Sequence, residues 1–513
     1  MALEWFLEMS PLWRIQIITA MVTPLCLYWL VSRYGKTKQN NRHHSPPSIR
    51  QRDPIFGLDL FLRLFKALRE NHRNMTIVQM FAEYGHTFQS CSWFSTKVYT
   101  IEPKNLQAIF STDFVNWGVG PMRLFAFRPF VGEGIMCTDG RSWESSRALI
   151  KPTFTRTNIA NMHLSGFSIH VQRLIDLLPR DGTTVDLQPL FARLALDAST
   201  DFLFGQAVGS LAPGGAPIEA KAFLQAYTYG QYTVGRRLHL PQWNFLTSNR
   251  QFKNACEVAH EFVDIAIARA QHFVQAKRSK ENLAERHVLA YELVERCKDK
   301  MQVRNQLLNV FLPAHEAVGV ALTNIFFHLA RNPLVYRKLR AEILQTTEYK
   351  VPWTFTRLKS LKYLQYVINE TFRLNPAIGT TTRMALRNTF LPTGGGPTGY
   401  GTSPIFIRKG DTVTISLYAL HRRQSVFGAD ANIFRPERWE GLRPPHWSYI
   451  PFGGGPRVCP GQNLALTEVA FAIVRIIQNF KSIINRDPVL DFVEVYKITT
   501  DSGNGALLSL TPA

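Results

Sequence analysis

The sequence predicts a mainly α protein with small β-sheets, preceded by one N-terminal transmembrane helix. Three observations carry this. Apolar residues recur at helical spacing through several long stretches: Phe252 to Lys280, Arg304 to Ala330, Leu361 to Leu374 and Gln462 to Phe480. Strand-like segments are few and short: Lys97 to Glu102, then Ile405 to Arg408 and Thr412 to Tyr418. The last two, joined through Lys409-Gly410-Asp411, read as a hairpin. Ile15 to Val31 is almost wholly apolar, interrupted by Gln16 and two threonines. Counted from Leu12 it reaches about 20 residues, the length of one membrane span.

Composition narrows the class. At 45% hydrophobic and 12% aromatic residues, the chain is globular, and 513 residues taken alone suggest two or three domains. Lys+Arg 59 against Asp+Glu 38 gives +21, which favours an anionic partner such as a lipid surface or an acidic protein. No zinc-finger spacing or RNA-binding signature appears, so nucleic acid is the weakest of the candidate anionic partners, and none is expected. Six cysteines are scattered without a C-x-x-C, which suits a reducing compartment.

Taken in order, residues 1–14 read as a lumenal N-terminus and 15–31 as a retained anchor, since no small-residue cleavage site follows. Residues 32–50 form a basic segment and hinge. Arg33, Lys36, Lys38 and Arg42 place the rest on the cytosolic side, and Ser45-Pro46-Pro47 breaks the helix. Residues 51–513 are the body of the protein. Leu58 to His72 is helical by period, and a helix follows Pro103 to Phe110. Residues 113–136 read as a loop rich in aromatics, including Phe114, Trp117, Phe125, Phe127 and Phe130. After Asp139-Gly140, Trp143 and Arg147 share a helix face at i, i+4, suited to cation–π packing.

Residues 156–208 read as two or more helices, and Leu211 to Pro217 as a loop. Residues 219–237 carry Phe223, Tyr227, Tyr229 and Tyr232. In Arg304 to Ala330, Pro313 removes one backbone donor, so a kink is expected there. Glu370 and Arg373 share a face at i, i+3, the spacing of a helical ion pair. The glycine-rich Leu391 to Pro397 lacks a following Gly-Lys-Ser/Thr, which argues against phosphate binding. Thr499 to Asn504 reads as a turn between two short strands.

The chain is organised around Phe452-Gly453-Gly454-Gly455-Pro456-Arg457-Val458-Cys459-Pro460-Gly461. Pro460 and Gly461 stand where the helix from Gln462 begins. Cys459 therefore lies near a helix N-terminus, where the dipole favours a thiolate. Gly453, Gly454, Gly455 and Gly461 permit φ > 0 and close approach of a flat ligand. Arg457 places a permanent cation two residues from the sulfur, suited to a carboxylate.

The pattern Phe-x-x-Gly-x-Arg-x-Cys-x-Gly resembles the haem-binding loop of the cytochrome P-450 superfamily. The resemblance extends over about residues 45 to 510. It is closest to the microsomal fungal group of n-alkane and fatty-acid hydroxylases, through Arg-Asn-Thr-Phe-Leu-Pro (387–392), Ala-Leu-His-Arg-Arg (419–423) and Cys-Pro-Gly-Gln-Asn-Leu-Ala-Leu-Thr-Glu (459–468). It implies one helical unit rather than several domains. It also implies haem b as cofactor, with Cys459 as the axial iron ligand. Phe452, Gly455, Gly461 and Arg457 would form the haem loop, and Trp143, Arg147 and Arg383 would meet the propionates. Glu370, Arg373 and Arg438 match the family's buried structural triad. Residues 113–136, 219–237 and 377–382 would line or roof the substrate cavity.

Pro313 to Val318 falls where the family carries small-Gly-x-Asp/Glu-Thr-Thr. Glu316 matches the acid and is the candidate for proton delivery, while Ala317 replaces the usual threonine. The implied activity is an endoplasmic-reticulum monooxygenase, anchored by one span. It would use O2, an apolar small-molecule substrate and an NADPH-dependent flavoprotein reductase. The departure at 313–318 favours a terpenoid or polyketide of specialised metabolism. The alternatives are terminal hydroxylation of fatty acids or alkanes, a haem-thiolate isomerase or dehydratase that needs no O2, and a non-enzymatic haem sensor.

Overall fold

A computed structural model describes residues 45–513 apart from 54–56, 93–94, 156–163, 240–248, 280–286 and 347–350, together with scattered positions between 10 and 27. The anchor expected at 15–31 and the basic segment at 32–50 therefore lie largely outside the described residues. Among these, one helix is long and apolar enough to cross a membrane: Lys300–Arg331, with mean hydropathy 1.4 and 72% of that stretch buried. Its burial makes it the core helix of the fold.

The N-terminal part holds α1 (Leu58–Arg69) and α2 (Arg73–Tyr84), then β1 (Thr87–Ser92) and β2 (Ser95–Thr100). β3 (Trp117–Gly118), α3 (Pro121–Val131) and α4 (Gly140–Ile150) follow. Next come α5 (Leu164–Asp176), β4 (Thr184–Asp186), α6 (Leu187–Phe204), α7 (Ile218–His239), α8 (Arg250–Ser279) and α9 (Leu289–Arg296). The core helix α10 (Lys300–Arg331) precedes α11 (Pro333–Thr346) and α12 (Lys362–Leu374). After β5 (Thr380–Ala385), β6 (Thr389–Gly395), β7 (Ser403–Ile407) and β8 (Thr412–Ser416), the chain reaches α13 (Gln462–Asn479). It ends in β9 (Phe480–Asn485), β10 (Glu494–Tyr496), β11 (Thr500–Ser502) and β12 (Leu507–Pro512).

α10 runs through the middle. Asp299 caps it by accepting from Met301 N at 2.9 Å. On one side Val318, Leu322, Ile325 and Phe326 join α5, α6, α12 and α13 in one apolar core. On another, Leu307, Leu308 and Phe311 join α3, α7, α8 and α9. Gly319 lets α6 lie against α10, because a Cβ there would stand 3.0 Å from Phe191 O. A third cluster packs α1 and α2 on a five-stranded sheet of order β1-β2-β8-β5-β3, in which β2 and β8 run parallel. The remaining sheets are β4-β12-β9, β6-β7 and β10-β11.

Several sequence expectations are corrected. Residues 113–136 are not simply loop, since α3 occupies most of the second half. Its aromatics face several directions, so no helical period shows, but Gly120 (φ 77) and Pro121 start the helix. The expected hairpin at 405–418 does not form. β7 pairs with β6, and β8 enters the large sheet between β2 and β5. The Lys409-Gly410-Asp411 turn (Gly410 φ 90) is real, but Gly410 N bonds Ala385 O and the strands separate. Helix α2 and strand β1 were not expected. The turn placed at 499–504 lies partly in β11, with Lys497 N bonding Thr499 O at 2.8 Å just before it. Pro313 lies inside α10, which continues unbroken as a helix on both sides of it.

Candidate active site

The cysteine loop is shaped by backbone contacts. Cys459 N donates to Phe452 O at 3.1 Å, and Val458 N to Gly455 O at 3.0 Å. Gly455 adopts φ 63, and a Cβ there would stand 1.7 Å from Phe110 O, so this position admits glycine alone. Gly453 is also left-handed (φ 73), but Gly454 (φ −157) and Gly461 (φ −85) are not, which corrects the expectation for those two. Phe452 packs edge-on against Phe372 of α12, with centroids 5.5 Å apart. Gly461 is the N-cap of α13, two residues beyond the cysteine.

Cys459 lies two residues before the N-cap of α13. Burial pushes its thiol up, against the opposing pull of the Gly461 N–H and the Arg147 charge. Yet its side chain is exposed. A residue hemmed in by protein and still accessible opens on an internal space. The middle of α10 opens in the same way. Phe311 and Leu312 are buried on one side and Val318 to Leu322 on the other, while Pro313 is exposed and residues 314–317 are half-buried.

Four guanidiniums stand together near the loop. Arg457 donates to Asp139 Oδ1 at 2.6 Å and to Thr138 O at 2.9 Å, and lies 4.5 Å from the Trp143 ring. Arg147 stacks on the same ring at 5.9 Å, the i, i+4 pair expected on α4. Arg383, on β5, lies 5.1 Å from the Phe110 ring and donates to Thr381 Oγ1 and Thr382 O. Burial lowers Arg383 to about 9, helped by repulsion from Arg123 and Arg457. Burial likewise lowers Arg457 to about 10, with Asp139 opposing. Arg123, from α3, was not foreseen. Burial lowers it too, and among the described residues its guanidinium donates to Met136 O at 3.5 Å and to no other acceptor.

Asp139 is the carboxylate facing this set. It also accepts from Val119 N and Gly120 N at 2.9 Å each, which ties the start of α3 to the cysteine loop. Four crowded cations around one acid leave positive charge uncompensated. Among the described residues, the buried Arg457 Nε has no hydrogen-bond partner. This donor set fits a cofactor that brings two carboxylates and a metal with affinity for sulfur, as haem does.

Glu370, Arg373 and Arg438 are brought together below the site. Arg373 donates to Glu370 through Nε and Nη2 at 2.9 Å each, and Arg438 Nε reaches Glu370 Oε1 at 3.3 Å. Trp439 Nε1 and Arg435 N complete the carboxylate's shell at 3.0 and 2.9 Å. Those neutralising donors hold Glu370 below the usual carboxylate range despite burial. Arg438 also bonds Asp430 Oδ1 at 2.7 Å and the carbonyl of Phe427.

Glu316 faces α7, where Gln231 Nε2 donates to its Oε2 at 2.8 Å. Among the described residues it forms no ion pair, and its Oε1 takes no protein donor. His315 is not a ligand: its Nδ1 meets Phe311 O at 3.0 Å, and burial lowers its pKa. No group of three or more His, Cys, Asp or Glu among the described residues is placed to hold a metal ion.

Residues 47–504 match the cytochrome P450 family. The chain is 36% identical over 472 residues to cytochrome P450 monooxygenase apdE of Emericella nidulans, covering 90% of this chain and 88% of the relative. It is 34% identical over 502 residues to cytochrome P450 monooxygenase himC of Aspergillus japonicus, covering 96% and 89%. It is 35% identical over 468 residues to cytochrome P450 52A5 of Candida maltosa, covering 87% of each chain.

Proposed function

This chain belongs to the cytochrome P450 family of haem-thiolate monooxygenases, and from that premise we propose that it inserts one oxygen atom from O2 into a largely apolar specialised metabolite, a terpenoid or polyketide. Residues 51–513 are the catalytic unit. Residues 15–31 anchor it to the endoplasmic reticulum with residues 1–14 lumenal, and an NADPH-dependent flavoprotein reductase supplies electrons. The single observation that supports this most is the accessible Cys459 thiol beside four crowded arginines that share one carboxylate, Asp139. The metabolite class rests on the departure of Pro313 to Val318 from the family pattern.

When bound, haem supplies the iron centre that activates O2 for insertion into a C–H bond. The chain's own residues do the rest. Cys459 Sγ would be the ligand atom, and the Gly461 N–H and Arg147 would stabilise its thiolate. Arg457, Arg147, Arg383 and Arg123, with Trp143, would hold the two carboxylates. Ala314, Ala317 and the half-buried stretch 380–384 keep the substrate space apolar or uncharged except at Arg383. Glu316, positioned by Gln231, is the residue placed to deliver a proton.

The test begins with the carbon monoxide difference spectrum of the reduced full chain. The thiolate-type band is expected, and its absence overturns the ligation; Cys459→Ala should abolish it. Turnover of a terpenoid or polyketide panel should then require NADPH and reductase, which separates oxygen insertion from isomerisation. A second reading, chain-end hydroxylation of fatty acids, is favoured by the motifs at 387–392 and 459–468. Rapid turnover of lauric acid would establish it instead. Deleting residues 1–44 should release much of the protein from membranes. Exposed Leu62 and Phe65 on α1 and Ile218 and Tyr232 on α7 should retain part of it.

A further inference from the structure

His287, just before α9, meets an acceptor at each of its ring nitrogens. Nδ1 lies 2.9 Å from Glu292 Oε1, and Nε2 lies 2.9 Å from Thr153 O. Neither acceptor has a hydrogen to give. A carbonyl carries none, and the Glu292 carboxylate is kept ionised through its other oxygen. That oxygen, Oε2, accepts from Thr153 Oγ1 at 2.8 Å and pairs with Arg296 at 3.1 Å. A neutral imidazole donates from one nitrogen only, so the arrangement is complete only when both nitrogens are protonated. Burial opposes that charge, but Glu292 and Thr153 O outweigh it and hold the ring above its ordinary pKa.

Thr153 is the point that this pair holds. It is fully buried, and its hydroxyl and its carbonyl both engage the pair. It belongs to the turn Lys151–Phe154, which continues directly from α4, the helix that carries Trp143 and Arg147. The next residue, Phe154, packs on the start of α13: a Cβ on Gly461 would stand 3.6 Å from its ring. Phe202 of α6 backs the cluster, with its ring 5.7 Å from that of Phe154 and 6.2 Å from that of His287. One buried turn thus joins His287 and Glu292 to the end of α4 and to the N-cap beyond Cys459. Among the described residues, the charged groups that act on His287 are Glu292 and Arg296 of α9. α6 presents the Phe202 ring, and Lys151 at the start of the turn is exposed.

We propose that His287 is a positioning residue held as an imidazolium, and that its proton governs how firmly the Cys459 loop retains the cofactor. With both protons in place, the ring ties Thr153 to Glu292 and keeps Phe154 seated on Gly461. When one is lost, a nitrogen lone pair faces an oxygen, that bond is replaced by repulsion, and the turn is freed. The folded pKa lies above the unfolded value near 6.5. The contribution is therefore complete below about pH 6.5 and is lost as pH rises through the folded value. This rests on reading the Cys459 loop as the haem site.

The experiment uses the full-length holoenzyme and follows haem transfer to excess apomyoglobin from about pH 6 to about pH 9. Release from the parent should be slowest at the acid end and rise about fivefold to tenfold across the range, as a charge-assisted bond is lost. His287→Gln can donate to one acceptor only and does not titrate. It should release haem faster than the parent at the acid end, at a rate nearly independent of pH. Glu292→Gln keeps the ring and removes its anion, so the rise should move to lower pH, a shift that loss of packing alone does not give. A parent rate that is flat with pH overturns the proposal. So does a His287→Gln rate that climbs as steeply as the parent's, or a Glu292→Gln rise over the same range as the parent's. The carbon monoxide band of the reduced protein reads ligation separately. Its absence overturns the haem site itself, whereas an intact band with a flat release profile overturns the role of His287 alone.

Discussion

Glu370 and Arg373 stand one turn apart on α12 and meet through two hydrogen bonds of 2.9 Å, with neither side chain exposed. Arg438 joins them from a segment 68 residues away. The carboxylate thus joins α12 to the segment that leads to the cysteine loop. Removing it leaves the buried Arg373 guanidinium without an anion and Arg438 with Asp430 alone. Glu370→Ala is expected to cost about 3–5 kcal/mol, the usual penalty for breaking a buried pair from one side. Urea unfolding should show it, together with loss of bound haem on purification. Glu370→Gln, which keeps the shape and one acceptor, should lose less.

The pH dependence of stability should carry the signature of His421. This residue is fully buried, and its Nε2 accepts from Ile450 N at 3.0 Å, which requires the neutral ring. Burial, with Arg373 and Arg422 nearby, lowers its pKa to about 3. In the unfolded chain the ring takes a proton near pH 6.5, so below that value the unfolded state binds more protons. The stabilisation is complete above about pH 6.5 and is lost as pH falls toward 3, by about 2 kcal/mol at pH 5. Urea midpoints between pH 7 and 4.5 should fall less steeply in His421→Gln than in the parent. Equal slopes would show that His421 protonates in the folded state.

Asp139 offers a third test. Its carboxylate binds Val119 N, Gly120 N and Arg457 together, so it spans two segments more than 300 residues apart in sequence. Asp139→Ala should free Arg457 and the start of α3. Haem should dissociate faster, by about tenfold if two charge-assisted bonds are lost. Arg457→Leu should give the same direction. Haem transfer to apomyoglobin measures both, and rates equal to the parent would remove Asp139 and Arg457 from the retention of the cofactor.

What the sequence showed plainly was local. Trp143 with Arg147, Glu370 with Arg373, and the run from Phe452 to Gly461 are each set by spacing within one element, so period and pattern reveal them. The long helices around Leu307 and Val469 were legible for the same reason. Arg123 was not, because it becomes significant only when α3, β5 and the cysteine loop converge. Asp139 directly precedes α4, yet its side chain does not cap that helix and bonds the preceding segment instead. The partnering of β7 with β6 rather than β8 is a long-range choice that turn residues do not encode. Gln231 lay unremarked among aromatics, and only the crossing of α7 over α10 gives it a partner.

Glu316 carries the last prediction. Splitting O2 into one inserted atom and water consumes protons at the reacting oxygen, and a hydroxyl at position 317 would ordinarily help to carry them. Ala317 and Val318 cannot donate. Glu316 lies beside them, half-buried at the opened centre of α10, held by an amide rather than by a cation. Its partner is the neutral Gln231 amide, which orients the carboxyl without adding a charge to the site. Glu316→Gln keeps the size and removes the titrating group. Product formed per NADPH should fall about tenfold or more, with hydrogen peroxide released in its place, and the carbon monoxide band should stay intact. Gln231→Leu should move the coupling in the same direction by a smaller factor, since it frees the carboxyl without removing it. Ala317→Thr should fold, bind haem and couple at least as well as the parent. If Glu316→Gln couples NADPH to product as the parent does, the acid carries no proton, and ordered water or the substrate's own hydroxyl must supply it.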